Sequence, residues 1–364
     1  MACWVHRVHI RPWLVQPRSK TPRSRTENLI IFFSKLFNPD YTKKIAQKRL
    51  EKRLEKDKQR VTSAFEKMRS VQEYDVSWDN NKKYHPEFYR SFVAPVLKTW
   101  SSHLLKLTLK IPPDILNSLA AVQLPVLQSF CFTFSTADLS IVEIDVFHSG
   151  FLVFVNNLKS SLRSLSFMST NTSENFDMCR IFRFLGTFPS LQSVSISIPY
   201  DGGHLTDPLL FLRFLERHHN QLCELNLFTN LITVGRGPGN PAGIEWIQRI
   251  LSQIYEPFPC LHSFGVALRP LRHSLKAVTN FIHIHSNTLT GMKLMDRSVT
   301  AHEISTLFGR PDSGRLLTML HIRADGLDPQ ILTSIASCLP TLQTLQLICK
   351  RLAGNWLEPL VCSF

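Results

Sequence analysis

The stretch Leu339-Pro340-Thr341-Leu342-Gln343-Thr344-Leu345-Gln346-Leu347 decides how this chain is read. Leu345 and Leu347 alternate with polar Thr344 and Gln346, as one face of a short strand requires. Leu342, three residues ahead, turns into the core just before the strand. Pro340 stops any preceding helix and favours extended chain, because it lacks an N–H and restricts the residue before it. The pattern apolar-x-x-apolar-x-apolar recurs from residue 104 to the end. The copies are Leu104/Leu107/Leu109, Leu127/Phe130/Phe132, Leu162/Leu165/Phe167, Leu191/Val194/Ile196, Leu222/Leu225/Leu227, Leu261/Phe264/Val266, Leu289/Met292/Leu294, Leu317/Leu320/Ile322 and Leu342/Leu345/Leu347. The steps between them are 23, 35, 29, 31, 39, 28, 28 and 25 residues. Four copies share an apolar-Pro lead-in: Leu124-Pro125, Phe188-Pro189, Phe258-Pro259 and Leu339-Pro340.

Between the phrases lie stretches of helical period, at residues 179–185, 208–215, 244–251 and 329–335. Asp207, Asn240 and Asp328 each precede a Pro, which gives an N-cap followed by Pro at the first helical position. Each unit therefore reads strand, loop, helix, loop. One unit cannot bury its own apolar face, but stacked neighbours can. The expected fold is α/β, a leucine-rich-repeat solenoid with a parallel concave sheet and outer helices, preceded by a basic helical N-terminal arm.

The phrase Leu-Pro-x-Leu-x-x-Leu-x-Leu, in uneven units, resembles the leucine-rich repeats of fungal F-box-type proteins. Residues 339–347 match best, and Phe188-Pro189-Ser190-Leu191-Gln192-Ser193-Val194-Ser195-Ile196 nearly as well. The resemblance covers about residues 92–349 and implies a protein-interaction module that selects substrates for ubiquitination. It also implies an F-box helical bundle that docks on a ubiquitin-ligase adaptor. The segment nearest an F-box start is 29–37 (Leu29 to Phe37). It lacks the family's Pro and Glu, so the F-box is absent or degenerate. The Asn or Cys that closes the strand turn in regular repeats is mostly missing, with Cys349 a candidate survivor.

The charge is uneven. Of a formal net +14, residues 1–70 hold 18 Lys/Arg against 6 Asp/Glu, while the rest is nearly neutral. The reading divides the chain into a basic disordered arm (1–40), a charged helix (41–72), an aromatic-rich capping segment (73–100), about nine irregular repeats (101–350) and a C-terminal tail or partial cap (351–364). The charged helix has a thin apolar stripe of Leu50, Leu54, Val61, Phe65 and Met68. It fits a cap on the first repeat, a nucleic-acid-binding or nuclear-import segment, or a short coiled coil. A nucleic-acid-associated protein working through this arm is the alternative to an interaction module.

The six Lys/Arg of residues 1–25, without an acid, also fit a mitochondrial transit peptide. Otherwise a cytoplasmic or nuclear protein without a membrane span is expected. Eight dispersed cysteines without a C-x-x-C spacing suit a reducing compartment. The sequon Asn171-Thr172-Ser173 has no secretory signal to give it meaning.

No reactive constellation is found, so no enzyme, cofactor or metal is expected. Gly235-Arg236-Gly237-Pro238-Gly239 has neither phosphate-loop spacing, and Pro238 removes a backbone donor. His218-His219 and His283-x-His285 read as surface histidines. The residues between the apolar anchors should face out on the concave side. They are small and neutral at the centre and charged toward the ends. A protein partner is expected in a trough anchored by Phe228, Lys293, Met295, His321 and Arg323.

Overall fold

The computed structural model describes residues 4–11, 41–78, 86–111, 117–134, 140–169, 176–200, 202–230, 245–271, 274–310, 313–326 and 328–349. The F-box-like segment 29–37, the sequon, the loop 235–239, the helix start at Asn240 and the tail 351–364 lie outside these residues. The chain forms two compact units, residues 1–126 and 127–364.

The first unit is a three-stranded parallel sheet in the order β1 (Arg7–Ile10), β2 (Glu73–Ser77), β3 (Lys106–Lys110). Helix α1 (Tyr41–Glu66) separates the first two strands and α2 (Pro86–Trp100) the last two. The expectation that residues 1–40 are a disordered arm is corrected at β1, which pairs Val8 with Tyr74. Leu54 and Phe65 of α1 are buried while Lys44, Lys48, Lys52 and Arg53 stay exposed. Phe65, Tyr74 and Trp100 meet edge to face, with centroids 5.0 to 6.4 Å apart. The Tyr74 hydroxyl donates to the Phe92 carbonyl (2.5 Å), which satisfies a phenol that burial has made a very weak acid.

The second unit carries eight parallel strands in sequence order: β4 (Ser129–Phe134), β5 (Ser164–Ser169), β6 (Ser193–Pro199), β7 (Glu224–Asn230), β8 (Ser263–Ala267), β9 (Gly291–Met295), β10 (Met319–Ala324) and β11 (Thr344–Cys349). Their register is one continuous row. Phe130 pairs with Leu165, Leu165 with Val194, Val194 with Leu225, Leu225 with Phe264, Phe264 with Met292, Met292 with Leu320, and Leu320 with Leu345. These are the middle anchors of successive phrases, so the phrase sets the register directly. The unit is an α/β leucine-rich-repeat solenoid.

The returns between strands hold α3 (Ile141–Asn156), α4 (Cys179–Phe184), α5 (Pro208–Glu216), α6 (Trp246–Leu251), α7 (Lys276–Ile284), α8 (Ala301–Phe308) and α9 (Pro329–Cys338). Asp207 caps α5 by accepting from Leu209 N, and Asp328 caps α9 by accepting from Gln330 N, each with Pro at the first helical position. Helix α8 starts instead with a capping box in which Thr300 and Glu303 satisfy each other's backbone N–H groups.

A backbone relay ties the repeats together at the strand entrances. The carbonyl of Gln128 accepts from the N–H groups of Arg163 and Ser164. Arg163 does the same for Gln192 and Ser193, and the handover continues through Gln192, Cys223, His262, Thr290 and Thr318 to Gln343 and Thr344. Each residue ahead of a strand thus satisfies the next repeat's orphan donors.

The core between sheet and helices is rich in rings. Phe151 of α3 has Phe130, Phe132, Phe134 and Phe167 within 6.3 Å. The histidine pairs need correcting. His219 is half-buried and His283 exposed, but His218 and His285 are fully buried. His218 Nδ1 lies 2.7 Å from the Phe214 carbonyl, and its Nε2 accepts from Phe188 N–H at 3.0 Å. His285 repeats the arrangement with Phe281 O (2.8 Å) and Phe258 N–H (3.0 Å). In both, Nδ1 must carry the proton and Nε2 must stay bare. Each neutral ring therefore bolts the end of one return to the Phe-Pro lead-in of the phrase before it.

Candidate functional site

Strand alternation sends one set of side chains into the ring-filled core and the other onto the helix-free face of the second unit's sheet. From β4 to β6 that face is mostly small: Ser129, Ser164 and Ser193 lie in one row and Ser166 beside Ser195 in the next, with Met168 between Thr133 and Ser197 in the third. Beyond β7 its character changes. Glu224 and Asn226 face out on β7, Lys293 and Met295 on β9, and Met319, His321 and Arg323 on β10.

The five anchors expected from the sequence all lie on this face and are all partly exposed. His321 stands beside Lys293 in register, and Met295 beside Ala267. Phe228 pairs with Ser197 on one side, and its ring lies across Gly265 on the other. A Cβ at Gly265 would sit 2.6 Å from Phe228 Cζ and would strike the Asn226 amide oxygen, so any larger residue here would push both side chains from these positions. The five do not act as five equal free groups. Lys293 reaches back across β8 to Glu224, Nζ to Oε1 at 3.0 Å. The floor it crosses holds only Ser263 and Gly265.

Sequence reasoning placed Glu224 and Asn226 on this face but did not see that they are its electrostatic centre. Glu224 accepts from Ser193 Oγ (3.1 Å), Asn226 Nδ2 (3.0 Å) and Lys293. Burial pushes its carboxyl up, but the Asn226 and Lys293 hydrogen bonds, the Lys293 charge and the Ser193 hydroxyl bring it below the usual carboxylate range. The signal available in the sequence was an acid and a base on the same strand face, two repeats apart and two residues out of step within the phrase. Burial, with the charges of Lys293 and Arg323, holds His321 below its ordinary value, so it is neutral at pH 7. His321 Nε2, Arg323 Nε and Asn226 Oδ1 are buried atoms without a hydrogen-bond partner among the described residues.

One rim of the face is set by Asp296, just past β9, which adopts φ 71°. Its carboxylate accepts from the N–H groups of Leu268 (2.8 Å) and Arg269 (3.1 Å) and from Thr229 Oγ1 (2.6 Å). One side chain thus joins three successive repeats, and its left-handed backbone is rare for a residue other than glycine. Among the described residues no three His, Cys, Asp or Glu side chains are grouped to hold a metal ion, and no helix is long and apolar enough to cross a membrane.

With this geometry in place the chain can be set beside known proteins. No protein-family model matches it, and no curated protein does. Among solved structures it is similar to the leucine-rich repeat-containing protein LegL7 from Legionella pneumophila. The TM-score is 0.47 at 15% identity, over 79% of this chain and 87% of that one. The fold assignment rests on the strand register and the repeated phrase described above.

Proposed function

We propose that this chain is a non-enzymatic protein-interaction module whose helix-free face takes an extended polypeptide segment carrying acidic residues next to apolar ones. The observation that carries the reading is the charge layout of that face. Among its outward strand positions, Lys293, His321 and Arg323 adjoin on β9 and β10, while Glu224 is the one acid and is already engaged by Lys293. A partner carboxylate could pair with the partly exposed Arg323 and His321 side chains, and would favour the proton that burial now disfavours on His321. Phe228 and Met295 offer apolar contacts beside these charges. The smooth Ser-rich strands to one side leave room for backbone to lie close.

A displayed library of random 12-residue peptides, selected on the immobilised full chain, tests this reading. Enriched sequences should combine Asp or Glu with apolar residues. Replacing Phe228, Lys293, Met295, His321 and Arg323 together by Ala should weaken them at least tenfold with little change in melting temperature, since two or three anchors usually dominate an interface. Enrichment without acidic bias, or affinity unchanged in the five-fold variant, would overturn it.

A finer form makes the module a substrate-recognition subunit of the F-box-like type. What supports this is the resemblance of the Leu-Pro phrase at residues 339–347 and 188–196. Direct binding of the full chain to a ubiquitin-ligase adaptor tests it, and failure to bind reduces the function to an interaction scaffold.

A further inference from the structure

Helix α1 of the first unit carries a row of cations that nothing in the unit neutralises. Lys44, Lys48, Lys52, Lys56 and Arg60 follow one another four residues apart, and all five are exposed. At 1.5 Å of rise per residue the row is about 24 Å long, with a cation roughly every 6 Å. Leu54 and Phe65, on the side of the helix opposite Lys52, are buried. The acids of α1 lie off the row. Glu55 approaches Lys58 at 3.8 Å, and Asp57 approaches only the last cation, Arg60, at 3.5 Å. Among the described residues Lys44, Lys48, Lys52 and Lys56 make no ion pair.

Such a row works against the helix. An acid followed four residues later by a base attracts across a helical turn, whereas like charges at that spacing repel. Among the described residues no other helix stacks three cations in this way. Burial and packing of α1 need only its other side, so folding does not account for the row.

We infer that α1 is a docking surface for the phosphate backbone of double-stranded nucleic acid. A duplex carries one charge per roughly 1.7 Å of axis, so a stretch as long as the row offers each cation a phosphate, and the counterions it releases drive binding. Lysines on flexible stems make point contacts to phosphates rather than bidentate contacts to base edges, so the docking is insensitive to base sequence. The described exposed positions from Lys44 to Arg60 hold only Lys, Arg, Glu and Gln. They lack the apolar side chains that an interfacial helix sinks into a membrane, and the aromatic rings on which single-stranded bases stack.

Titration of the full chain with a fluorescent DNA duplex across a range of salt concentrations is the test. With one phosphate engaged per cation of the row, log K should fall against log salt with a slope of about −4.5 or steeper. Lys48→Gln, Lys52→Gln and Lys56→Gln together should flatten that slope by about 2.7 and weaken binding at least tenfold. The melting temperature of this triple variant should not fall, because the substitutions relieve repulsion. Lys58→Gln, off the row and beside Glu55, should leave the slope unchanged. Absence of duplex binding at low salt, or an unchanged slope in the triple variant, would overturn the inference. So would equal affinity for phosphatidylserine vesicles, single strands or polyglutamate, because the partner would then not be a duplex.

Discussion

Acidification from pH 7 to pH 4 should remove about 6 kcal/mol of stability from the second unit through two histidines alone. His148 and His285 are each held down to about 4. Burial is the main cause in both. For His148 the Arg180 charge adds to it against the opposing pull of Asp145 and Asp177. For His285 the Phe281 carbonyl opposes burial and the neighbouring His219 adds a little to it. In the unfolded chain both rings titrate near 6.5, so between pH 6.5 and pH 4 the unfolded state binds more protons than the folded one. Stability is therefore full above the unfolded value and is lost as the pH falls through the window. A displacement of about 2.5 units corresponds to roughly 3 kcal/mol per ring. His218 is shifted in the same direction, chiefly by burial.

The geometry explains why these rings resist protonation. A proton on His285 Nε2 would face the Phe258 N–H that now donates to it, and His148 has no partner for either nitrogen among the described residues. Urea midpoints at pH 7, 5.5 and 4 should fall steadily, and His148→Phe should flatten the fall by about one proton. A midpoint constant from pH 7 to pH 4.5 would contradict this account of the histidines.

Phe151→Ala should cost about 3–5 kcal/mol, the usual range for removing a fully buried ring. Phe151 lies 5.0 Å from Phe132, 5.1 Å from Phe134, 5.5 Å from Phe167 and 5.8 Å from Phe147, so its loss opens a cavity shared by β4, β5 and α3. Surrounding rings are stiff and cannot collapse to fill it. At roughly 2–4 °C per kcal/mol, the melting temperature should drop by about 10 °C. In a repeat array the damage should stay near the site, so hydrogen exchange should quicken in residues 129–169 more than in residues 291–324. A loss below 1 kcal/mol would mean that the cluster is not packed as described.

The second unit was legible in the sequence because its anchors do two jobs at once. Leu225 and Leu227 announce a strand by their spacing, and the same two side chains fix its register against Val194 and Ile196. Two earlier copies of the phrase depart from its usual spacing or composition. Val5/Val8/Ile10 is followed by a step of 66 residues, and Val71/Tyr74/Val76 replaces leucine with β-branched and aromatic residues. Both form strands, β1 and β2.

The buried histidines are not legible in the sequence because Phe214-x-x-x-His218 and Phe281-x-x-x-His285 look like polar helix ends until their partners, 30 and 27 residues distant, are brought alongside. Their shared placement, four residues before Leu222 and Leu289, was the available clue. Strand parity alone puts Phe228, Lys293, Met295, His321 and Arg323 on the helix-free face. The Glu224–Lys293 pair depends on side-chain reach across glycine and serine, which no local pattern records. Asp296 is similar: its left-handed turn is stabilised by donors from two other repeats.

The helix-free face exists only if the strands of the second unit pair in one unbroken parallel order. Residue-resolved hydrogen exchange of the full chain tests that most directly. The pairing predicts slow exchange in every strand from 129–134 through 319–324, in blocks spaced like the phrases. Rapid exchange across any two neighbouring blocks, such as 263–267 and 291–295, while the flanking blocks stay protected, would contradict it.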